Sequence, residues 1–227
     1  TGHLQKDKRL EAVRNSIATV FDGYSDFKVQ RNPKSFVINK GEEKLDFNQL
    51  SDGEKSYMAL IFDIVRKMAM THPSLENPLN GDGIVLIDEV DLHLHPSWQR
   101  EVIDKLKQLL PNCQFFISTH SPHVVSSVNL KTGDKLILIT NGEAIEFMGN
   151  SYGRESNIVL ADIFKMDSLR NPIVQCHIDK IWACLKNKDY ESEEFNTELS
   201  WLKDNVDSAD SIFIQINLQI AMIKKGL

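Results

Sequence analysis

Apolar side chains fall along this chain in two rhythms. Between 5 and 20, Leu10, Val13, Ile17 and Val20 recur at spacings of three and four, the period of one helix face, and Gly23 stops the run. The same period returns more strongly with Tyr57, Leu60, Ile61, Ile64, Val65, Met68 and Ala69, which predicts a long helix. Two other stretches lack it. Ile84, Val85, Leu86 and Ile87 are consecutive, as are Phe115, Phe116 and Ile117. Such short unbroken runs predict strands buried on both faces, as in a parallel sheet. Between them Trp98, Val102, Ile103, Leu106, Leu109 and Leu110 predict a helix packed on that sheet, ended by Pro111-Asn112. Strand, helix, strand is a βαβ unit, with a right-handed crossover expected.

Weaker signals surround this unit. Residues 27–30 and 35–39 read as short strands across the turn Arg31-Asn32-Pro33-Lys34, with a third strand at 44–47. Residues 135–140 and 143–147 flank Asn141-Gly142, a hairpin signal. From about 152 the chain turns helical: 157–164, a helix opened by Pro172 and running through Leu185, then 191–206 and 208–225. The expected organisation is an α/β part over 1–150, with a parallel sheet and a small antiparallel piece, and an all-α appendage over 151–227.

Composition narrows the class. The chain has 227 residues, 41% hydrophobic and 26% charged, as an ordinary globular protein has. Its net charge of −6 leaves only a local basic patch to attract nucleic acid. Cys113, Cys176 and Cys184 form no C-x-x-C pair, so a reduced, cytoplasmic compartment is expected. No apolar run approaches the roughly 20 residues of a membrane span. The chain opens Thr-Gly-His rather than with Met, which reads as a fragment or a processed product.

Candidate chemistry gathers at the element ends. Asp88 and Glu89 directly follow the run at 84–87, and ligands of open α/β sheets sit outside the carboxyl ends of strands. A buried carboxylate there needs a partner, a metal or water. The plain alternative is a strand ending in polar residues. Ser51 and Glu54 open the long helix as a capping box, which accounts for both without a ligand. Yet free N–H groups at a helix start bind anions, and Gly53 lets one approach closely. His120 ends the second strand. His93 and His95, in H-L-H-P, either shape the turn into the next helix or form a zinc pair. Ser121-Pro122 reads as cap and first residue of a short helix containing His123.

Three motifs, L-S-D-G-E-K-S at 50–56, G-I-V-L-I-D-E-V-D at 83–91 and F-F-I-S-T-H-S-P at 115–122, resemble in order and spacing the second half of an ABC-type ATPase domain. They look like its signature, its Walker B strand with catalytic glutamate, and its switch histidine. Asp91 stands where the D-loop would be. The extension H-L-H-P-S-W-Q at 93–99, and less specifically Y-G-R-E-S-N at 152–157, resembles the RecF/OLD-type branch, which includes ATPases of anti-phage systems such as Septu and retron-associated effectors. The resemblance covers roughly residues 45–130.

It implies a P-loop NTPase-type fold using ATP and Mg²⁺. Asp88 would hold the metal through water, Glu89 would orient the attacking water, and His120 would contact the γ-phosphate. Ser51, Gly53 and Glu54 would face ATP held by the opposite subunit, and Asp91 would lie at the dimer seam. Partners would be a second copy, an effector such as a nuclease or retron component, and nucleic acid. No G-x-x-x-x-G-K-[ST] occurs, so the chain reads as the C-terminal half of such an ATPase, inactive alone, cut after an inserted coiled coil. The acidic cluster of a Toprim nuclease is missing around 136–139. Two other readings compete. One is a metal-dependent hydrolase or nuclease built on Asp88, Asp91, His93, His95, His120 and His123. The other is a non-catalytic interaction module, since the phosphate loop is missing; separately, the C-terminal helices either cover the sheet and one another or form a partner-docking module.

Overall fold

A computed structural model describes residues 14, 16, 18–31, 34–166 and 168–225. The helix expected over 5–20 lies mostly outside them; 14, 16 and 18–20 are helical. The chain divides into two compact units, Thr1–Val159 and Leu160–Leu227.

The first unit opens with an antiparallel sheet of β1 (Tyr24–Arg31), β2 (Lys34–Lys40) and β3 (Glu43–Asp46), in that order. Strand β3 stops one residue short of Phe47, because the Asp46 side chain instead caps a tight turn over Phe47–Gln49. Helix α1 (Asp52–Thr71) follows, and buries Tyr57, Met58, Ile61, Ile64, Val65, Met68 and Ala69. Phe27 of β1 packs on Phe62 of α1 with ring centres 4.9 Å apart, which seats the small sheet on the helix.

The βαβ unit is present. Strands β4 (Gly83–Ile87) and β5 (Cys113–Ile117) are parallel, with Val85 opposite Phe115 and Ile87 opposite Ile117. Two helices connect them, α2 (Pro96–Gln99) and α3 (Val102–Leu109), where one was expected. The break comes where the Glu101 N–H turns back to the Trp98 carbonyl at 3.0 Å, three residues away instead of four. The expectation of burial on both sheet faces is corrected. Val85, Ile87, Phe115 and Ile117 join the core with Leu106 and Val102, but Ile84 is 64% and Leu86 76% exposed. A single crossover covers a single face.

Helix α4 (Pro122–Ser127) follows β5, and the hairpin β6 (Ile137–Thr140) and β7 (Glu143–Glu146) turns on Asn141 and Gly142. Both turn residues have positive φ, 52° and 82°, as a two-residue hairpin turn requires. Helix α5 (Ser156–Asp162) buries Val159.

The second unit holds α6 (Pro172–Lys186), α7 (Glu193–Asn205) and α8 (Ser211–Lys224) around its own core of Ile178, Ile181, Leu185, Phe195, Leu202, Ile212 and Ile216. Each helix has a side-chain cap, Asn171, Ser192 and Asp210 in turn. Arg170 grips the Asp210 carboxylate with both guanidinium nitrogens at 2.7 and 2.8 Å. Among the described residues no helix is long and apolar enough to cross a membrane.

Candidate functional site at the ends of the parallel strands and of helix α1

The start of α1 is built by its capping box. The Ser51 hydroxyl accepts from the Glu54 N–H at 3.3 Å, and Glu54 Oε2 accepts from the Ser51 N–H at 2.6 Å. The other oxygen, Oε1, accepts from Lys40 Nζ of β2 at 2.7 Å and from the Tyr24 hydroxyl of β1. Burial alone would push this carboxyl up, but hydrogen bonds from Lys40, Tyr24 and Ser51 outweigh it and hold the pKa down at about 2. The same pairing raises Lys40 above the ordinary lysine range. Glu54 is 8% exposed, with both oxygens used inside the chain, whereas Ser51 stands at the surface.

The second cluster lies where β4 and β5 end together. Their register carries Asp88 beside Ser118. Ser118 Oγ donates to Asp88 Oδ1 and accepts from the Glu89 N–H at 2.8 Å. Backbone bonds from Ser118 N to the Ile87 carbonyl (3.0 Å) and from Val90 N to the Ser118 carbonyl (3.1 Å) close the junction. Glu89 takes a left-handed backbone with φ 48°, uncommon for a residue with a side chain. Asp88, Glu89 and His120 are all exposed at this end of the sheet.

A compact turn follows. Leu92 N bonds the Glu89 carbonyl and Leu94 N the Asp91 carbonyl, at 2.9 and 3.0 Å. The Asp91 carboxylate accepts from Thr119 Oγ1. Gln99 Nε2 donates to the Leu94 carbonyl at 2.9 Å and the Asp91 carbonyl at 3.4 Å, and its Oε1 accepts from Ser121 Oγ at 2.7 Å. Gly53 lies against this turn: a Cβ built on it would stand 2.6 Å from the His93 carbonyl oxygen.

The histidines serve the backbone. His93 has φ 63°, so the extended H-L-H geometry that would aim His93 and His95 the same way does not form. His95 caps α2, its ring accepting from the Ser97 N–H at 3.3 Å. The His123 ring pairs with Ser156 Oγ at 3.0 Å, and Asp91 is bound to Thr119. Among the described residues, no three His, Cys, Asp or Glu side chains gather where they could hold a metal, so the six-residue metal cluster is not assembled. Tyr24, Lys40, Gln99, Ser118 and Thr119 escaped the sequence reading as site residues. The last three lie inside motifs it quoted, but the groups they hold in the site are 5 to 30 residues away, so no spacing pattern marks them.

The fold and these strand ends define a P-loop NTPase-type α/β domain. A solved SMC ATPase, from work on ATP-driven dimerisation and DNA-stimulated activation of SMC ATPases, shares the fold with a TM-score of 0.50 at 18% identity, covering 71% of this chain and 93% of that chain. The chain belongs to the AAA domain family described as putative AbiEii toxin, Type IV TA system, which matches residues 3–126. It is similar to the retron Ec83 probable ATPase of Escherichia coli, 34% identical over 94% of this chain, and to the retron Vc95 probable ATPase of Vibrio cholerae, 39% identical over 82%. The Septu protein PtuA of Bacillus thuringiensis is 28% identical over 73% of the chain. The expected kinship with retron and Septu proteins is borne out. The chain spans only 39%, 35% and 43% of these curated relatives.

Proposed function

We propose that this chain carries the signature and Walker B part of an ATPase that closes as a dimer around ATP and Mg²⁺ and controls an effector in anti-phage defence. The observation that carries the reading is the Ser118 clamp: one hydroxyl binds the Asp88 carboxylate and the Glu89 N–H together, two residues before His120. The Asp88 carboxylate and the Glu89 backbone are thereby fixed together at a strand end, which supports separate roles for the two side chains as metal holder and water holder.

Asp88 and Ser118 offer hard oxygen donors, which fit a magnesium ion that keeps part of its water shell. Bound there with ATP, the ion supplies charge neutralisation for phosphoryl transfer. Glu89 orients and polarises the attacking water, and His120 holds the γ-phosphate. Ser51 and Gly53 present the start of α1 to nucleotide bound by the second copy, while Glu54 fixes that start from behind. Asp91 stands at the dimer seam. A segment outside this sequence supplies the phosphate loop, so the chain alone is inactive. Residues 151–227 serve as a helical docking module, and the partners are the second copy, an effector such as a nuclease or retron component, and nucleic acid. The names of the relatives support an ATPase of defence systems, and three cysteines without a pairing motif support a reducing, cytoplasmic setting.

The test is ATP hydrolysis by the intact polypeptide, wild type against Glu89→Gln. Hydrolysis is expected to fall by about a hundredfold or more, with ATP still bound and dimers accumulating. A wild type that binds no ATP, or a variant that hydrolyses it equally fast, overturns the reading.

A further inference from the structure

The motif H-L-H-P-S-W-Q ends in Gln99, a residue with no role in the reading above. Its amide uses both ends. The NH₂ donates to the carbonyls of Leu94 and Asp91 in the turn after Glu89, and the oxygen accepts from Ser121. The Ser121 hydroxyl in turn accepts from the N–H groups of His123 and Val124 at 3.1 and 3.4 Å and so caps α4. Ser121 is buried and directly follows His120. Gln99 thus joins the turn that carries Asp91 to the segment that carries His120, beside the Thr119–Asp91 bond between the same two segments. On its far side the same turn supports Gly53 through the His93 carbonyl.

From this we infer that Gln99 is a positioning residue: it holds the Asp91 turn and the His120 segment in one register, so that neither moves without the other. The planar amide suits the task because it is a double donor and an acceptor at fixed separation. No other uncharged side chain of similar length offers both. The kinetic consequence rests on the ATPase reading; the mechanical one does not. A shift of about 1 Å at either segment is enough to cost on the order of a hundredfold in rate.

The test compares wild type, Gln99→Met and Gln99→Glu in the intact polypeptide by site-resolved amide hydrogen exchange and by ATP turnover. Methionine keeps the length but removes both functions. Glutamate keeps an acceptor for Ser121 and removes the NH₂. Exchange is expected to speed up at least about tenfold in Gln99→Met, both at Leu94 and at His123 and Val124. In Gln99→Glu it is expected to speed up at Leu94 alone. The kcat for ATP is expected to fall about ten- to a hundredfold in Gln99→Met with KM within about twofold. Unchanged exchange at either segment in Gln99→Met overturns the pin. Released segments with an unchanged kcat overturn the positioning role. If wild type turns over no ATP, the ATPase reading fails, and the exchange pattern still decides whether Gln99 joins the two segments.

Discussion

Gly53 of α1 touches the carbonyl oxygen of His93, forty residues on in the chain, so closely that a Cβ on the glycine would stand 2.6 Å from it. Real Cβ atoms do not approach a backbone oxygen to that distance, and this oxygen belongs to a turn held by Gln99, Thr119 and its own backbone bonds. The glycine that opens α1 is therefore shaped by the turn after Glu89 as well as by any nucleotide.

Gly53→Ala separates two opposing effects. Helix propensity favours alanine by about 1 kcal/mol, whereas overpacking against a fixed backbone costs about 1–3 kcal/mol. Because the contact is with main chain, overpacking wins. Thermal or denaturant unfolding should show Gly53→Ala less stable by up to about 2 kcal/mol, and ATP turnover in the intact polypeptide should fall. A variant more stable than wild type would show that the turn yields freely.

The same contact marks what the sequence could and could not disclose. The capping box was legible, since Ser51 and Glu54 are three residues apart and local bonds follow local spacing. The helices of the second unit were legible from apolar periodicity and from Pro172 at the start of the first, whereas the caps Asn171, Ser192 and Asp210 were not singled out. Strands β4 and β5 were legible as strands, but the exposure of Ile84 and Leu86 was not, because it depends on what lies over the sheet and not on the strand itself. For His93 and His95 the sequence left a turn and a zinc pair both open, and the left-handed φ of His93 in the closed turn goes with the first. Tyr24 and Lys40 reach Glu54 across 30 and 14 residues, distances at which no periodicity operates.

That Glu54 cluster makes a pH prediction. A carboxyl held at about 2, below its ordinary 4.5, binds its proton more weakly folded than unfolded. Its stabilisation is therefore complete above pH 4.5 and is lost as pH falls toward 2. Lys40 shifts upward, so its share is complete below the ordinary lysine range and is lost as pH rises from that range to the raised value. Wild type should exceed Glu54→Gln in unfolding free energy by about 2 kcal/mol, constant from about pH 5 to about pH 9. The gap should narrow progressively below pH 4.5, as the carboxyl protonates in the unfolded chain. Urea unfolding at a series of pH values checks this, and a gap that widens on acidification would contradict it.

One helix turn further along α1, Tyr57 is 2% exposed, its ring edge-on to Phe21 at 4.8 Å and tilted against Trp98 at 5.6 Å. Its hydroxyl is buried without a hydrogen-bond partner among the described residues. Burial, with a smaller push from the Glu101 charge, raises the phenol's pKa, so the group stays neutral and ionisation offers it no relief. A desolvated hydroxyl without a partner costs about 1–3 kcal/mol, while the aromatic packing belongs to the ring. Tyr57→Phe keeps the ring and removes the cost. The variant should gain about 1 kcal/mol, or a Tm higher by about 2–4 °C in calorimetry, with ATP turnover unchanged because the ring contacts that seat Trp98 next to Gln99 persist. A loss of stability of similar size would mean that the hydroxyl has a partner in solution.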